Sequence, residues 1–454
     1  PRVATLRWVA ALLRSGWQAS RGMGGNLQRF TQGSILHQKI PVGIADTDVA
    51  FNQDVKAIRV KDDLADAHVI DNWYLFYWIK ANEGRLLSMV ESTGIGAGKL
   101  DTKQLQELIV DYPDWGEQRR IVACCKAVEE KEIINHQINQ TLEQMAQAIF
   151  KSWFVDFEPV RAKMEAKKRW HALQPGNEPA SPVCYAGEPQ PLPDLETYMN
   201  LAAMQAISGK DADQLTRMQA EQPEQYAELQ TTAALFPAAM QASELGEIPE
   251  GWEVGSFQDL CIKVESGGTP KRKSPEYWGG NIKWLSSGEV RDVIAFDTRE
   301  KITDIGLKNS AAKLWPKYTT VVAMYGATAG QVCFLAEEMT SNQACCGLIP
   351  KKNHSIFTFV AAKRSVQSLA DKASGSAQQN LNKGLVAGHS TLLPPEEVLA
   401  AYEAVAFPFM LKWIENYREA SLLGALRDTL LPKLLSGELS LPDAETELQE
   451  AAHA

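Results

Sequence analysis

The two halves of this chain repeat one another. Ala50-Phe51-Asn52-Gln53-Asp54-Val55-Lys56-Ala57-Ile58 is answered by Thr340-Ser341-Asn342-Gln343-Ala344-Cys345-Cys346-Gly347-Leu348. The small-residue turn Ser92-Thr93-Gly94-Ile95-Gly96-Ala97-Gly98-Lys99-Leu100 matches Ala373-Ser374-Gly375-Ser376-Ala377-Gln378-Gln379-Asn380-Leu381. From that point the register holds at 281 residues, pairing Leu100 with Leu381, Pro113 with Pro394 and Leu142 with Leu423. A chain written this way must build one design of core twice, and it suits a single task performed on both parts of a two-part target.

At 454 residues the chain is long enough for two or three domains, each with its own core. A net charge of -10 argues against indiscriminate adhesion to nucleic acid, which needs excess Lys and Arg, but leaves room for a local basic groove. The seven cysteines, Cys124, Cys125, Cys184, Cys261, Cys333, Cys345 and Cys346, form no Cys-x-x-Cys pair. Their odd number fits free thiols in a reducing cytosol, so a cytoplasmic location is expected. No apolar run is long enough to span a membrane, and the Arg-rich opening from Pro1 offers no signal-peptide core.

The expected fold class is α/β (mixed α+β), with two globular domains and long coiled-coil helices. Residues 1–35 lack a clean period and read as a truncated or disturbed start, and 36–113 as a shortened first domain. Ile121, Val128, Ile134, Ile138, Leu142, Met145, Ile149 and Trp153 predict the seam of one long helix over 114–168. A helix of about 45 residues would extend roughly 65–70 Å. Residues 169–242 read as a linker and insert, with short helices over 195–242 and no evident chemistry. A second domain covers 243–394, with strands at Ile282–Leu285, Thr320–Tyr325 and Gln331–Leu335, and a tail occupies 443–454. Over 395–442 a second helix is expected to turn Tyr402, Val405, Leu411, Ile414, Tyr417, Leu422, Leu426 and Leu430 inward, with Pro408 interrupting or kinking it.

Several strings, in this order, resemble the DNA-specificity (S) subunit of Type I restriction–modification systems. They are Glu117-Gln118-Arg119-Arg120-Ile121 with the helix to Trp153, Ile248-Pro249-Glu250-Gly251-Trp252, Ser266-Gly267-Gly268-Thr269-Pro270, Asn281-Ile282-Lys283-Trp284-Leu285, Gly375 to Leu381, and Leu430-Leu431-Pro432-Lys433-Leu434-Leu435-Ser436-Gly437-Glu438-Leu439. The resemblance covers 36–165 and 243–442. It implies two target-recognition domains separated by the long helices as an antiparallel pair, each domain reading half of a split double-stranded DNA site, with the helices fixing the gap between halves. It also implies a non-catalytic subunit that recruits two methylation subunits carrying S-adenosylmethionine, and motor–nuclease subunits using ATP and magnesium. Those partners would dock on the helices at 117–165 and 396–438, and the chain itself would carry no cofactor and no metal.

Candidate DNA-binding residues follow from side-chain chemistry. Thr269, Lys271, Arg272 and Lys273 form a cationic, proline-bounded loop suited to phosphates or guanine edges. Lys283, Ser286, Ser287 and Arg291 flank a predicted strand. Ser376, Gln378, Gln379 and Asn380 offer amides suited to adenine. The resembling family keeps that last string across diverse targets, so it reads equally as a structural turn. Gly98 and Lys99 stand at the Gln379 and Asn380 positions of the first copy. Asn52-Gln53 and Asn342-Gln343 read as pairs that cap or bridge strands, in preference to DNA contacts.

No enzymatic constellation emerges. Gly94 to Lys99 is one residue short of a phosphate loop, and Leu100 replaces its Ser or Thr. Asp111-Tyr112-Pro113-Asp114 is not an amino-methyltransferase signature, Asp156 with Glu165-Ala166-Lys167 only imitates a nuclease, and the histidines lack metal spacing. Two rival readings remain: a standalone DNA-modifying enzyme with a fused recognition domain, and a non-functional remnant with a shortened first reader.

Overall fold

Two helices of 40 and 41 residues, Trp115–Phe154 and Glu396–Ser436, each begin two residues after a Pro. Each follows a short strand, Ile109–Tyr112 or Ser390–Leu393. Strand starts and helix starts are both 281 residues apart, so the repeat seen in the sequence is a repeat of backbone. Asp114 opens the first helix by accepting a hydrogen bond from Glu117 N at 3.0 Å, which satisfies one of the donors a helix start leaves free. In this computed structural model residues 2–5, 42–44, 58, 60, 62–92, 98–100, 104–105, 107–174, 192–291, 293–325, 328–374, 381–444 and 446 are described. They divide into two units, Pro1–Ile138 with Glu415–Ala454, and Asn139–Ile414.

The first unit holds the first copy. Arg2–Thr5 pairs antiparallel with Ile109–Tyr112, Arg2 opposite Tyr112. In the second unit Glu253–Ser256 pairs the same way with Ser390–Leu393, Glu253 opposite Leu393. Between the paired strands the first copy has residues 6–108 and the second 257–389, so the first is shorter by 30 residues. A strand therefore lies inside the segment read as a disturbed start; residues 6–35 and the strand expected over Val55 to Val60 lie outside the described structure, apart from residues 58 and 60. The aromatic run from Trp73 to Ile79 belongs to the helix Asn72–Ala81, which buries Tyr74, Leu75, Tyr77 and Trp78. Against that face pack Ile121, Val122 and Cys125 of the first long helix and Leu430, Leu431 and Leu434 of the second. The two helices run antiparallel in this unit: Arg427 reaches Glu132 at 3.1 Å, and Asn135 donates to Glu419 at 2.9 Å.

Helix geometry corrects the expected seam. Ile134, Ile138 and Met145 are exposed at 48%, 39% and 42%, while Asn135 and Asn139 are buried. The buried positions Ile121, Val128, Asn135, Asn139, Ala146, Phe150 and Trp153 recur at three, four and seven residues, and Ile134 and Ile138 each lie about 100° round the helix from them. In the second helix the inward face is Tyr402, Ala406, Met410 and Trp413, leaving Val405 and Leu422 outside.

The expected single helix over 114–168 ends at Phe154. Phe157 takes a left-handed backbone with φ of 53°, its buried ring meets Trp252 edge-on at 6.0 Å, and a 15-residue helix, Glu158–Ala172, follows with Pro159 in its first turn. Pro159 suits a first turn, where its missing N–H costs nothing. Pro408, by contrast, does not interrupt its helix. Pro408 and Ala404, whose carbonyl it frees, are both exposed, so water can satisfy that oxygen.

In the second unit the helices again run antiparallel, with Tyr402 donating to Ala146 O at 3.3 Å and ringed by Phe150, Trp153, Phe154 and Phe357. The domain is built on a five-stranded sheet in the order Ile294–Ala295, Val332–Leu335, Thr320–Ala323, Cys345–Pro350, Cys261–Ser266. A three-stranded sheet runs Glu300–Ile302, Trp278–Leu285, Thr340–Ser341. The 195–242 segment forms three short helices, Leu195–Ser208, Ala212–Glu221 and Pro223–Ala234, around Ala203, Met204, Leu215 and Ala233. Beneath it Lys163 is buried, donates to Phe236 O at 2.7 Å, and is lowered to about 8 by desolvation.

Candidate nucleic-acid interface

Alternating strand direction gathers loops at one edge of the second domain. Cys261–Ser266 and Thr320–Ala323 end where Val332–Leu335 and Cys345–Pro350 begin, because each neighbouring pair among them is antiparallel. The smaller sheet joins the same edge through Asn342 N to Leu285 O at 3.0 Å and Gly268 N to Ser341 O at 2.8 Å. Met324 N donates to Ala344 O at 2.7 Å, and Leu381 N to Met324 O at 2.9 Å. The residues after 266, 285 and 323, those before 345 and Leu381 itself therefore converge. The Gly267-Gly268 pair makes this possible: a Cβ on either would collide with Ser341 or with the Ala311 backbone.

The predicted residues divide by what they touch. The Thr269 hydroxyl donates to the Gln343 amide oxygen at the converging edge. Lys271 and Lys273 are exposed, with no side-chain partner among the described residues. Arg272 is committed differently: its guanidinium forks onto Glu300 and stacks 3.9 Å from the Trp278 ring centroid and 4.7 Å from that of Trp284. That hydrogen bonding holds the Glu300 carboxyl below its usual range. Lys283 donates to Phe296 O at 2.6 Å. Ser286 caps a short turn through Glu289 at 2.6 Å, and the Ser287 carbonyl accepts from Thr328 at 3.0 Å. Arg291 is exposed, without a partner among the described residues. Ser376, Gln378, Gln379 and Asn380 lie outside the described residues; Leu381 is on the converging edge.

Two exposed residues at this edge are not among the expected DNA contacts: Gln343 is expected to cap or bridge strands, and Tyr325 to end one. The Asn342-Gln343 pair splits: Asn342 makes the local turn by accepting from Ala344 N at 3.0 Å, whereas Gln343 is exposed beside Thr269. Its amide oxygen engaged, Gln343 presents N–H donors suited to acceptors on base edges. Tyr325, 39% exposed, follows a fully buried strand and had no motif to mark it. Asn52-Gln53 of the first copy lies outside the described residues.

The enzymatic decoys have structural employment. Asp156 pairs with Lys151 and Glu165 with Arg169, and Asp114 caps its helix. Neighbouring Cys345 and Cys346 belong to different cores, as alternation along a strand requires. Burial pushes the Cys346 and Cys261 thiols up to about 12, so they behave as packing groups. Among the described residues no group of three His, Cys, Asp or Glu side chains could hold a metal ion, and no helix is long and apolar enough to cross a membrane.

Comparison with known proteins supplies the remaining observations. The Type I restriction modification DNA specificity domain family matches residues 19–144 and 249–397, one region in each copy. The Type I restriction enzyme HindI specificity subunit of Haemophilus influenzae is 30% identical over 386 residues, 82% of this chain and 79% of that protein. The MjaIX specificity subunit of Methanocaldococcus jannaschii is 21% identical over 428 residues, 92% of this chain and 80% of that protein. A crystal structure of a Type I restriction–modification S subunit from M. genitalium superposes with a TM-score of 0.42 at 13% identity, covering 81% of this chain and 74% of that one.

Proposed function

Because the chain belongs to the Type I restriction–modification DNA specificity family, we propose that it is the sequence-recognition and scaffold subunit of such a complex. It reads a bipartite site in double-stranded DNA, one half with each copy. The carrying observation is the duplication itself: two family-matched regions, each running into a long helix at the same offset. In the second copy the converging loops supply what half-site reading needs, free cations for phosphates and an exposed amide and phenol for base edges.

Catalysis belongs to the partners in this reading. Two methylation subunits hold S-adenosylmethionine, and motor–nuclease subunits use ATP and magnesium, while this chain holds no cofactor. The exposed Ile133, Ile134, Ile138 and Leu422 of the helix pair give a methylation subunit an apolar surface to cover.

Co-expression with a methylation subunit, followed by mapping of methylated adenines across the host genome, tests the proposal. A split, asymmetric methylated motif is the expected result. Methyl transfer by the purified chain alone, or an unbroken motif, would overturn it. The 30-residue shortening of the first copy keeps the remnant reading specific: a stable complex that methylates nothing would mean that the first reader is broken.

A further inference from the structure

The loop Gly268 to Tyr277 does not stand alone. At one end Thr303 N donates to Tyr277 O at 3.0 Å, the Thr303 hydroxyl donates to Glu276 O at 2.7 Å, and Gly306 sits against the Tyr277 backbone. At the other end Gly268 abuts the backbone of Ala311 and Ala312. Residues 268–277 and 303–312 thus lie side by side in opposite directions, pinned at both ends. Lys308, closing the helix Asp304–Lys308, lies on the second segment between the two pins, as Lys271 and Lys273 lie between them on the first, and Lys313 follows the Gly268 contact. Lys308 and Lys313 are exposed, and neither has a side-chain partner among the described residues.

The ridge has the electrostatics of a phosphate contact. Of the acids nearby, Glu300 is occupied by Arg272 and Asp297 by Lys301 at 3.3 Å. Glu276 and Asp304 are exposed, both at the Tyr277 end. Four lysines therefore lie along two pinned strips of backbone, in a chain whose net charge is -10. A lysine is a flexible point charge, suited to phosphate and poor at discriminating bases. We propose that Lys308 and Lys313 join Lys271 and Lys273 in a ridge that grips the DNA phosphate backbone beside the half-site read by the second copy. This rests on the DNA-recognition reading above and adds residues whose contribution is independent of sequence.

The test uses the full chain assembled with its methylation subunit and a mixed-sequence DNA duplex, which requires no knowledge of the target. Each phosphate contact contributes roughly 0.9 to the slope of log affinity against log salt. The double variant K308Q/K313Q should flatten that slope by about 2, and K308R/K313R should restore it. The methylated motif should be unchanged in both. An unchanged slope in K308Q/K313Q overturns the ridge, and so does an altered motif, which would mean that these residues read bases. A wild-type assembly that binds no duplex and methylates no split site would instead overturn the parent reading.

Discussion

In the first copy the helix Asn72–Ala81 is capped by its own neighbour, Asp71, whose carboxylate accepts from Trp73 N at 2.8 Å and Tyr74 N at 3.1 Å. The long helix adds Gln118, which accepts from Asp71 N at 3.0 Å and donates to Val69 O and Pro113 O at 2.9 and 3.0 Å. In the second copy the corresponding helix, Ser355–Arg364, begins at His354, which makes no side-chain cap. There the carboxylate comes from the long helix: Glu403 accepts from Ile356 N at 3.0 Å. Shifted by 281, Gln118 lands on Leu399 and Glu403 on Val122. First-turn N–H groups are satisfied in both copies, by the neighbouring Asp71 in the first and by Glu403 of the long helix in the second, while Gln118 serves Asp71 N and two carbonyls. Duplication has kept the strand-to-helix frame and let the polar supports diverge.

Gln118→Leu, which writes the second copy's residue into the first, should have the largest effect. It strands two carbonyls and one N–H in a fully buried place, each costing about 1–3 kcal/mol. A net loss of about 3–4 kcal/mol is expected from denaturant unfolding. A loss under about 1 kcal/mol would show that the two copies tolerate each other's supports.

The counterpart change is Glu403→Gln, and its effect depends on pH. Burial pushes the Glu403 carboxyl up to about 7, against hydrogen bonds that pull it down. The protonated form is therefore favoured in the folded state. That contribution is complete below the unfolded value of 4.5 and is lost as pH rises through about 7. Wild type should lose about 2–3 kcal/mol relative to the Gln variant between pH 4.5 and 8. Parallel stability curves would break the assignment. The neighbouring His354 and Glu396, 3.5 Å apart, are present in both proteins and cancel in the difference.

How far the sequence carried follows from which contacts are local. The long helices are legible because Pro113 and Pro394 punctuate them and apolar residues recur along them. The strand Val332–Leu335 and the second half of Trp278–Leu285 are legible from their composition. The inward face was legible at Ile121, Val128 and Trp153 but not between them, because Asn135 and Asn139 take places an apolar rule gives to Ile134 and Ile138. A polar residue in a helix pair fixes register at some cost in stability, a choice hydrophobic periodicity cannot report. Nor could the break at Phe157 be read, since it depends on a distant partner, Trp252. The candidate interface was half legible. Its cations stand in one string, but Gln343 and Thr269 meet only after two strands have paired, and nothing local reveals that Arg272 turns onto two tryptophans.

Arg272 offers the smallest effect on stability and the most selective one on function. Its ring contacts are worth about 1 kcal/mol and its exposed ion pair less than that, so Arg272→Ala should cost about 1–2 kcal/mol. Its loop carries Lys271, Lys273 and Thr269, so loosening it should relax base preference in the half-site read by the second copy and leave the other half intact. Arg272→Lys discriminates between two roles. Lysine keeps the charge but loses the bidentate fork on Glu300 and the planar stack. If Arg272 serves as an anchor, methylation mapping should show the Lys and Ala variants relaxing the same half of the motif. Should Lys restore the wild-type motif and affinity, Arg272 acts as a point charge on phosphate, and the division drawn between anchored Arg272 and free Lys271 and Lys273 falls.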